Sequence, residues 1–463
     1  MTHHFGKLSI LATCALGLTL TTSSFAKPVK KVKRLKRKKV DTTQPIYMTH
    51  YDKVVNEGYT NSLIKHYNKM SQHSVNDFYK YEFLMRSIPG VYFTYFLEPN
   101  FRLKNNTTYD LKRYIFKRYV SGTVSTNNLG TTASGRQNFK ATLALNGLLG
   151  NDQLGLAIGT TSKGYKSESY KAQYKTIVGH HGTELSVAYD SNYSKSDKVG
   201  LYQSTLNGKK FLVSAYQPFW INRANRIGLV AGYGITRASN DGDALGSYAN
   251  LQVREQLPYI FVRGNWNHFA RSGDYDVSGE IVQGGNFLGN TRYSTSGQDG
   301  SVAANEPPNT TFTILHVNFK AFLPLKHHMN LAFIARAQKL ISHGTLFVSK
   351  KFYIGDGAYI GRGFMGDEGI EGKTEFSYNI PWKQKYFANP QTFTFYDWGH
   401  VYNYKQIVMN FPSKTISSIG FGFRGMIYNK VQSFFELALP IGDPLARDHN
   451  KDWQFFFGAS YKF

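Results

Sequence analysis

From about residue 113 to the C-terminus, short segments of alternating apolar and polar residues are separated by Gly, Asn, Ser and Asp. This pattern predicts antiparallel strands and hairpins, because successive side chains of a strand point to opposite faces. Near the C-terminus, for example, Ile419, Phe421 and Phe423 mark an apolar side, and the other side carries Ser418, Gly420, Gly422 and Arg424. We predict strands near residues 114–126, 137–148, 152–161, 169–178, 183–192, 209–217, 225–237, 247–255, 257–268, 276–284, 311–323, 329–341, 372–380, 391–402, 416–428, 431–440 and 453–463.

This number of strands and their length fit a transmembrane β-barrel. Bacterial barrels normally close with an even number of strands, so we expect about 16, with one of the segments misassigned. The segment 276–284 is the weakest of them. Aromatic residues make up 15% of the chain although its mean hydropathy is −0.38, as expected where lipid-facing apolar residues alternate with polar lumen residues. No apolar run beyond the N-terminus is long enough for a membrane-spanning helix.

A small mixed domain is predicted ahead of the barrel. Its elements are a strand at Pro45–Val55, a helix at Asn61–Met70, a helix after Ser74 with an apolar face of Phe78, Tyr81, Phe83, Leu84 and Met85, a break at Ser87–Gly90, a strand at Val91–Leu97 and a strand at Thr107–Lys112. The order is strand, helix, helix, strand, strand.

The N-terminus has the features of an export signal. Residues 1–26 contain Lys7, an apolar core and the small-x-small site Ser24–Ala26, which predicts a secretory signal peptide. The only cysteine, Cys14, lies inside it, so no disulfide is expected; a lipoprotein site at Cys14 is the alternative, which Thr13 disfavours. Residues 27–44 follow as a basic tail.

Part of the net charge of +25 comes from residues 27–39, which contain basic residues and no acid. We interpret them as a solvated periplasmic tail; contact with anionic lipid or with a passing unfolded chain is the alternative. A nucleic-acid partner is not expected, because the chain is predicted to be exported and has no recognition module.

One Gly-rich segment, Phe352–Pro381, interrupts the strand pattern and contains Arg362. The segment 391–402 supplies a candidate partner, because Asp397 is its only acid. A guanidinium and a carboxylate form two charge-assisted hydrogen bonds of fixed geometry. The alternative is a solvated Arg362 and an unrelated Asp397.

Catalytic and cofactor motifs are absent. The adjacent pairs His180–His181 and His327–His328 would point to opposite faces of a strand, which is a poor arrangement for a metal. Gly355-x-Gly357 is not followed by a helix that could hold a phosphate, and no nucleophile motif is present. We therefore expect no enzyme activity, cofactor or metal.

The Gly-rich segment resembles a motif of a known superfamily. Residues 360–364, Ile-Gly-Arg-Gly-Phe, are similar to the V-R-G-[FY] motif of outer-membrane polypeptide transporters, and the surrounding loop at 352–371 resembles that of the two-partner secretion transporters (the hemolysin secretion/activation, or TpsB, family). The matching positions are Phe352, Ile354, Gly355, Gly357, Arg362, Gly363, Phe364, Gly366, Asp367 and Gly369. Asp356 is inserted and Gly361 replaces the usual valine.

Other segments follow the family in order. They are residues 83–91 (with Ser87 in place of Asp), 120–159, 395–399, 418–424 and 437–441. The resemblance implies a mostly β fold, with one POTRA-like domain at 45–112 and a barrel at 113–463. It implies a latch in which Arg362, Gly363 and Phe364 of the loop meet Asp397 of the inner wall. Gly355, Gly357, Gly366, Asp367 and Gly369 would shape the loop backbone.

The resemblance also implies a function. The chain would reside in the outer membrane of a Gram-negative bacterium, bind a secreted TpsA-like polypeptide in the periplasm and export it through the barrel without ATP. The partner would bind near Phe83, Leu84, Val91, Tyr92 and Phe93. The final strand ends in Phe463, which resembles the signal read by the barrel assembly machinery, and outer-membrane lipid would surround the barrel. Alternatives are an outer-membrane protein assembly factor and a passive porin-like channel; the family usually has two POTRA domains and a plug helix, and 27–112 holds only one POTRA-like pattern.

Overall fold

The computed structural model describes residues 75–100, 108–129, 137–161, 167–195, 202–244, 251–285, 291–296, 311–342, 344, 346–355, 364–381, 386–404, 412–441 and 452–463. The elements are helix α1 (Val75–Ser87) and strands β1 (Val91–Asn100), β2 (Thr108–Lys117), β3 (Val120–Asn127), β4 (Asn138–Asn146), β5 (Asp152–Thr161), β6 (Ser167–Val178), β7 (Thr183–Lys195), β8 (Tyr202–Ile221), β9 (Asn225–Ala244), β10 (Leu251–Ala270), β11 (Gly273–Gly284), β12 (Arg292–Ser296), β13 (Phe312–Pro324), β14 (Met329–Leu340), β15 (Phe352–Ile354), β16 (Phe364–Gly366), β17 (Glu368–Asn379), β18 (Phe387–Tyr402), β19 (Ser413–Ile427), β20 (Val431–Pro440) and β21 (Gln454–Lys462).

The main body is a closed antiparallel barrel. Its 16 strands are β3–β11, β13, β14 and β17–β21, and β21 pairs with β3 to close it. The short strand β12 pairs with the far part of β10 and does not change this number. The predicted strand count of about 16 is confirmed. Within the described ranges, no helix is long and apolar enough to cross a bilayer.

One strand was predicted as two. Residues 247–255 and 257–268 were expected to be separate, but β10 is continuous and pairs with β9 from Leu251 to His268. Pro258 lies where the other neighbour changes, between the β12 pairing that ends at Gln256 and the β11 pairing that begins at Tyr259. Proline has no N–H to donate, so this gap accommodates it. The segment 276–284, judged weakest, is a real strand within β11.

The predicted strand 114–126 is divided in the structure. Its first residues belong to β2, which pairs with β1 in a separate two-stranded sheet, and the barrel begins at Val120 in β3. The chain turns between them at Arg118, whose carbonyl oxygen accepts a hydrogen bond from Asn146 Nδ2 at 2.9 Å. The predicted strand 45–55 and helix 61–70 lie outside the described residues, so the POTRA-like domain as a whole stays a prediction.

Helix α1 ends where the sequence predicts. Ser87 Oγ donates to the carbonyl oxygen of Phe83 at 2.7 Å, and Pro89 and Gly90 follow. Gly90 has φ +75°, and a Cβ there would lie 2.3 Å from the Arg118 carbonyl oxygen. A side chain at this position would therefore clash with the backbone that leads into the barrel.

The barrel wall has an apolar outer face and a tightly packed inner one. Along β18, Phe393, Phe395 and Asp397 are buried, whereas Tyr396 and Tyr402 are exposed. On β19, Ile419 and Phe421 are exposed on the outer face, as predicted. The inner rings lie flat on glycines of the next strand: a Cβ on Gly420 would lie 2.2 Å from Phe395 Cζ, and one on Gly422 2.4 Å from Phe393 Cζ. The result is a smooth inner surface on β17–β19.

The last residue closes the barrel seam. Phe463 and Gly122 exchange backbone hydrogen bonds, with N–O distances of 3.1 Å and 3.0 Å. A Cβ on Gly122 would lie 2.3 Å from Phe463 Cζ and 2.7 Å from the Thr142 carbonyl oxygen. The ring of the C-terminal residue therefore covers the one position of β3 that lacks a side chain.

We expect Gly122→Ala to destabilise the barrel by about 1–3 kcal/mol, because the added methyl group must displace the ring or the strand. The measurement is the temperature at which the purified barrel loses its compact form in a heat-modifiability gel. Gly208→Ala is the control, since nothing lies within 4 Å of its Cβ position. Equal midpoints for the two variants would contradict the seam packing.

Candidate functional site

The long connection between β14 and β17 folds back onto the inner wall of the barrel. Its strands β15 and β16 form an antiparallel pair in which Phe352 is opposite Gly366 and Ile354 is opposite Phe364. Both strands contact β18, and β15 also contacts β17. We call residues 346–355 and 364–367 the loop neck. Residues 356–363, including the predicted Gly357, Arg362 and Gly363, lie outside the described residues.

Apolar side chains attach the neck to the wall. Phe352, Ile354 and Phe364 are 6%, 0% and 6% exposed and belong to one buried cluster with wall residues Phe393, Phe395, Val401, Ile416, Ala438 and Phe456. Burying such a side chain is worth about 1.5–3 kcal/mol, so these three contribute roughly 5–9 kcal/mol to docking. The predicted latch residue Phe364 is therefore a packing residue of the neck.

Two glycines make this contact possible by leaving space. A Cβ on Gly369 would lie 2.4 Å from Phe352 Cδ1, and one on Gly399 would lie 3.0 Å from Ile354 Cβ. Gly366 is confined by backbone, because its Cβ would lie 2.7 Å from the Tyr402 carbonyl oxygen. A Cβ on Gly355 would lie 2.5 Å from the Tyr353 hydroxyl oxygen. The predicted glycines Gly366 and Gly369 thus permit close approach, and neither has a positive φ.

A buried ion pair joins the two ends of the neck. Lys351 Nζ lies 2.9 Å from Asp367 Oδ1, and the two side chains are 4% and 0% exposed. Asp367 Oδ1 also accepts a hydrogen bond from the Leu346 N–H at 2.7 Å, and Oδ2 accepts one from the Tyr404 N–H at 3.0 Å. The sequence predicted Asp367 only as part of the loop backbone. Its carboxylate instead connects the start of the neck, its end and the segment after β18.

Amide side chains complete this arrangement. Lys351 Nζ donates to Asn403 Oδ1 at 2.9 Å, and Asn403 Nδ2 donates to the Met365 carbonyl oxygen at 3.2 Å. On the other side, Gln338 Nε2 donates to the carbonyl oxygens of Lys350 at 3.0 Å and Asp367 at 2.9 Å. Buried polar groups that are paired in this way hold one geometry, because leaving any of them unpaired is costly.

Arg336 of β14 provides a third attachment. Its guanidinium binds Glu371 of β17, donates from Nη2 to the Tyr353 carbonyl oxygen at 2.9 Å and lies 5.2 Å from the centre of the Phe352 ring. One wall arginine therefore contacts both the backbone and a side chain of β15.

The first part of the neck packs on a different stretch of wall. Leu346 and Phe347 are 2% and 0% exposed, in a buried cluster with Leu257, Tyr259, Phe261, Val282, Phe312, Ile314 and Leu340. Lys350 Nζ lies 3.2 Å from the centre of the Tyr259 ring. The neck therefore contacts the inner wall from β10 to β19.

Asp397, the predicted wall partner of Arg362, faces the loop. It is 4% exposed; Ser418 Oγ donates to its Oδ2 at 3.3 Å and Lys373 Nζ lies 3.8 Å from Oδ1. Gly355 at the end of the described neck, Asp397 and Ser418 line the same small cleft. The Arg362–Asp397 contact itself stays a prediction.

The sequence pattern did not single out Arg336, Gln338, Lys351 or Asn403. Their contacts join residues that are far apart in the chain, such as Lys351 and Asn403. The spacing of residues within a short segment cannot predict such a contact. One signal was present: Lys351 directly precedes the Gly-rich segment and Asp367 lies within it, so a basic and an acidic residue flank the Arg362 motif.

The predicted partner-binding segment lies at the end of the barrel that contains both barrel termini. Leu84 is 5% exposed, and a Cβ on Gly182 in the β6–β7 turn would lie 2.3 Å from its Cδ2. Phe83 lies 4.8 Å from the guanidinium of Arg226 at the start of β9. Val91, Tyr92 and Phe93 begin β1, and Tyr92 is 47% exposed. The side chains of Phe83 and Leu84 thus hold α1 against the barrel.

A sequence model of the haemolysin secretion/activation protein family ShlB/FhaC/HecB matches residues 111–425. The chain belongs to this family. It is an outer-membrane translocator of the TpsB type, a family whose members work with secreted TpsA-like partner proteins. The predicted family is thereby confirmed, and it is a family of transporters. A search of curated protein sequences finds no match.

Solved structures agree with this fold. The TpsB chain is similar to CdiB from Escherichia coli, with a TM-score of 0.65 and 16% identity over 82% of this chain and 69% of that one. It is also similar to CdiB from Acinetobacter baumannii, with a TM-score of 0.61 and 15% identity over 83% of this chain and 67% of that one. BamA from Haemophilus ducreyi, lacking POTRA domains 1–3, has a TM-score of 0.51 and 16% identity over 87% of this chain and 82% of that one.

We expect Lys351→Met to destabilise the folded TpsB barrel by about 3–5 kcal/mol, because it leaves Asp367 buried without its cation. The matched control is Lys339→Met, which removes a pair with the neighbouring Glu368 at a lysine that is 63% exposed. That change should cost at most about 1 kcal/mol. The measurement is the urea concentration at which each purified variant unfolds; a Lys351 variant as stable as the Lys339 variant would contradict the buried-pair reasoning.

Proposed function

We propose that this protein recognises a secreted partner polypeptide in the periplasm and exports it through the barrel without ATP. Membership of the TpsB family, with a loop docked inside a closed barrel, is the observation that carries the proposal. Folding of the partner outside the cell would supply the direction of transport. Outer-membrane lipid would contact the exposed apolar belt, to which Phe376, Tyr396 and Phe421 belong.

The partner would bind at the periplasmic end. The barrel strands begin and end at the end where α1 and the β1–β2 hairpin lie, so this end would face the periplasm. We propose that 45–112 is a POTRA-like domain and that an extended segment of the partner adds to the edge of its sheet through main-chain hydrogen bonds. Phe83 and Leu84 would fix the domain on the barrel, and the residues from Val91 to Phe93 would belong to the binding strand.

Arg362 would bind Asp397 and set the state of the loop. Arg362 is two residues before Phe364, so the two α-carbons can be no more than about 7 Å apart. Phe364 is fixed on the wall beside β18, the strand that contains Asp397. The carboxylate faces the loop and already binds Lys373 and Ser418, a setting suited to accepting a guanidinium.

Assembly of the barrel would use its last strand. Phe463 directly follows β21 and exchanges hydrogen bonds with Gly122 of β3, so the aromatic residue that closes the seam is also the one that we propose the barrel assembly machinery reads. The assembly machinery would bind the free backbone edge of β21 before the barrel closes, and β3 would pair with the same edge afterwards.

We expect Arg362→Ala to abolish export while the barrel stays folded. The exported proteins are first identified as those that disappear from the culture medium when the chain is deleted. Their amount is then measured by quantitative mass spectrometry in cells with Arg362→Ala, with Asp397→Asn and with Arg271→Ala, an exposed arginine in the β10–β11 turn that serves as the control. Export unchanged in Arg362→Ala cells with a heat-modifiable barrel would refute the latch.

Assembly of outer-membrane proteins is the second candidate, because the fold is also similar to BamA from Haemophilus ducreyi. Depletion of the chain distinguishes the two. A transporter should leave the set of outer-membrane proteins intact and remove one or a few proteins from the medium. A general loss of outer-membrane barrels, measured by mass spectrometry of the membrane fraction, would favour assembly.

A further inference from the structure

The loop neck is attached to the barrel by contacts that do not involve Asp397. They are the hydrogen bonds of Lys351 with Asn403 and of Asp367 with the Tyr404 N–H, the amide bridges of Gln338 and Asn403, and the apolar packing of Phe352, Ile354 and Phe364. These contacts join the neck to β14, to the segment after β18 and to the buried cluster of the inner wall. The neck could not leave the wall by breaking only one of them.

We propose that the neck stays docked on the inner wall throughout transport, so that the polypeptide passes beside it and not through space that the loop vacates. This inference rests on the proposed export function and deepens it. Asp367 and Lys351 would then be positioning residues: they fix the ends of the loop and thereby the height at which Gly355 faces Asp397.

The burial of the ion pair supports a fixed neck. With 4% and 0% of the two side chains exposed, both charges are shielded from bulk solvent, and protein groups contact each of them. A partly withdrawn neck would separate Lys351 from Asn403 and Asp367 from the Tyr404 N–H before the charges reached bulk water, which is costly for buried polar groups. Intermediate positions are therefore strongly disfavoured.

The two ends of the neck are also bound to each other. Gln338 of β14 donates from one amide nitrogen to the carbonyl oxygens of Lys350, before β15, and Asp367, directly after β16. Arg336, two residues earlier on β14, binds the Tyr353 carbonyl oxygen. Both wall residues belong to a strand of the closed barrel, so undocking the neck would break these hydrogen bonds or displace β14.

A disulfide tests this directly. The Cβ position of Gly399 is 3.0 Å from Ile354 Cβ, close to the roughly 3.5–4.5 Å of a disulfide, so Ile354→Cys with Gly399→Cys would bond β15 to β18 after a small adjustment. Cys14 is the only native cysteine and is replaced by serine in every variant. The matched control is Ser186→Cys with Ser214→Cys, whose hydroxyl oxygens are 2.8 Å apart on neighbouring strands away from the loop.

The expected result is that oxidation causes no loss of export in the Ile354/Gly399 double variant, as in the control pair. The exported proteins are those whose amount in the medium falls on deletion of the chain. Export lost on oxidation and restored by a reductant in the Ile354/Gly399 variant alone would overturn the fixed neck. Cells with the unaltered chain distinguish failure of the export proposal from failure of the docked-neck proposal. If these cells export no protein that depends on the chain, the proposed function is refuted, and the docked neck is not the cause.

Labelling gives a second measurement that needs no disulfide. Met365 is 3% exposed, so Met365→Cys in actively exporting cells should stay unlabelled by a membrane-impermeant maleimide. Lys339→Cys, at a lysine that is 63% exposed, is the positive control. Samples that are denatured and treated with an unlabelled thiol-blocking reagent before the maleimide give the background. Labelling of Met365→Cys above this background during export would overturn the proposal, whereas protection supports it.

Discussion

The carboxylate of Asp367 is the point on which the arrangement of the loop depends. It has no exposed surface, and it receives a lysine ammonium and one backbone N–H from the first part of the neck and a second backbone N–H from the segment after β18. A buried carboxylate is tolerated only where such partners converge, so its position defines theirs. The loop therefore returns to the barrel rim at a fixed place after its excursion along the wall, and the strands β14, β17 and β18 meet it there.

The wall that receives the loop is smooth for a physical reason. Inner aromatic rings of β18 lie on glycines of β19, and the ring of Phe352 lies on Gly369 of β17 in the same way. With side chains at these glycines, the rings would stand away from the sheet and the loop would lose its contact surface. Gly366 and Gly369 thus act through the space that they leave, which explains how a glycine-rich loop can pack closely on the wall.

The alternation of apolar and polar residues was enough to predict the barrel, its strand number and the outer face of β19, because the period of two is a local property of every strand. The alternation was misleading at residue 256, where it predicted a break between strands 247–255 and 257–268. The structure has one continuous strand, β10, and only its neighbour changes there, from β12 up to Gln256 to β11 from Tyr259. The Gly-rich motif located the loop. The partners of its polar residues could not be predicted, because Lys351, Asn403 and Gln338 are brought together by the pairing of β14, β17 and β18 and by the folding back of the loop.

Two kinds of contact therefore divide the site. Near the rim, the neck is held by a buried ion pair, paired amides and packed rings, which together allow one geometry. Further along β18, Asp397 lies 3.8 Å from Lys373 Nζ and accepts a hydrogen bond from Ser418 Oγ at 3.3 Å. If Arg362 binds Asp397 as we propose, the docked neck would hold the loop in place and this second pair would set its state. The loop would then respond to a passing polypeptide without leaving the barrel, and the mechanical and the switching roles would fall to two different aspartates.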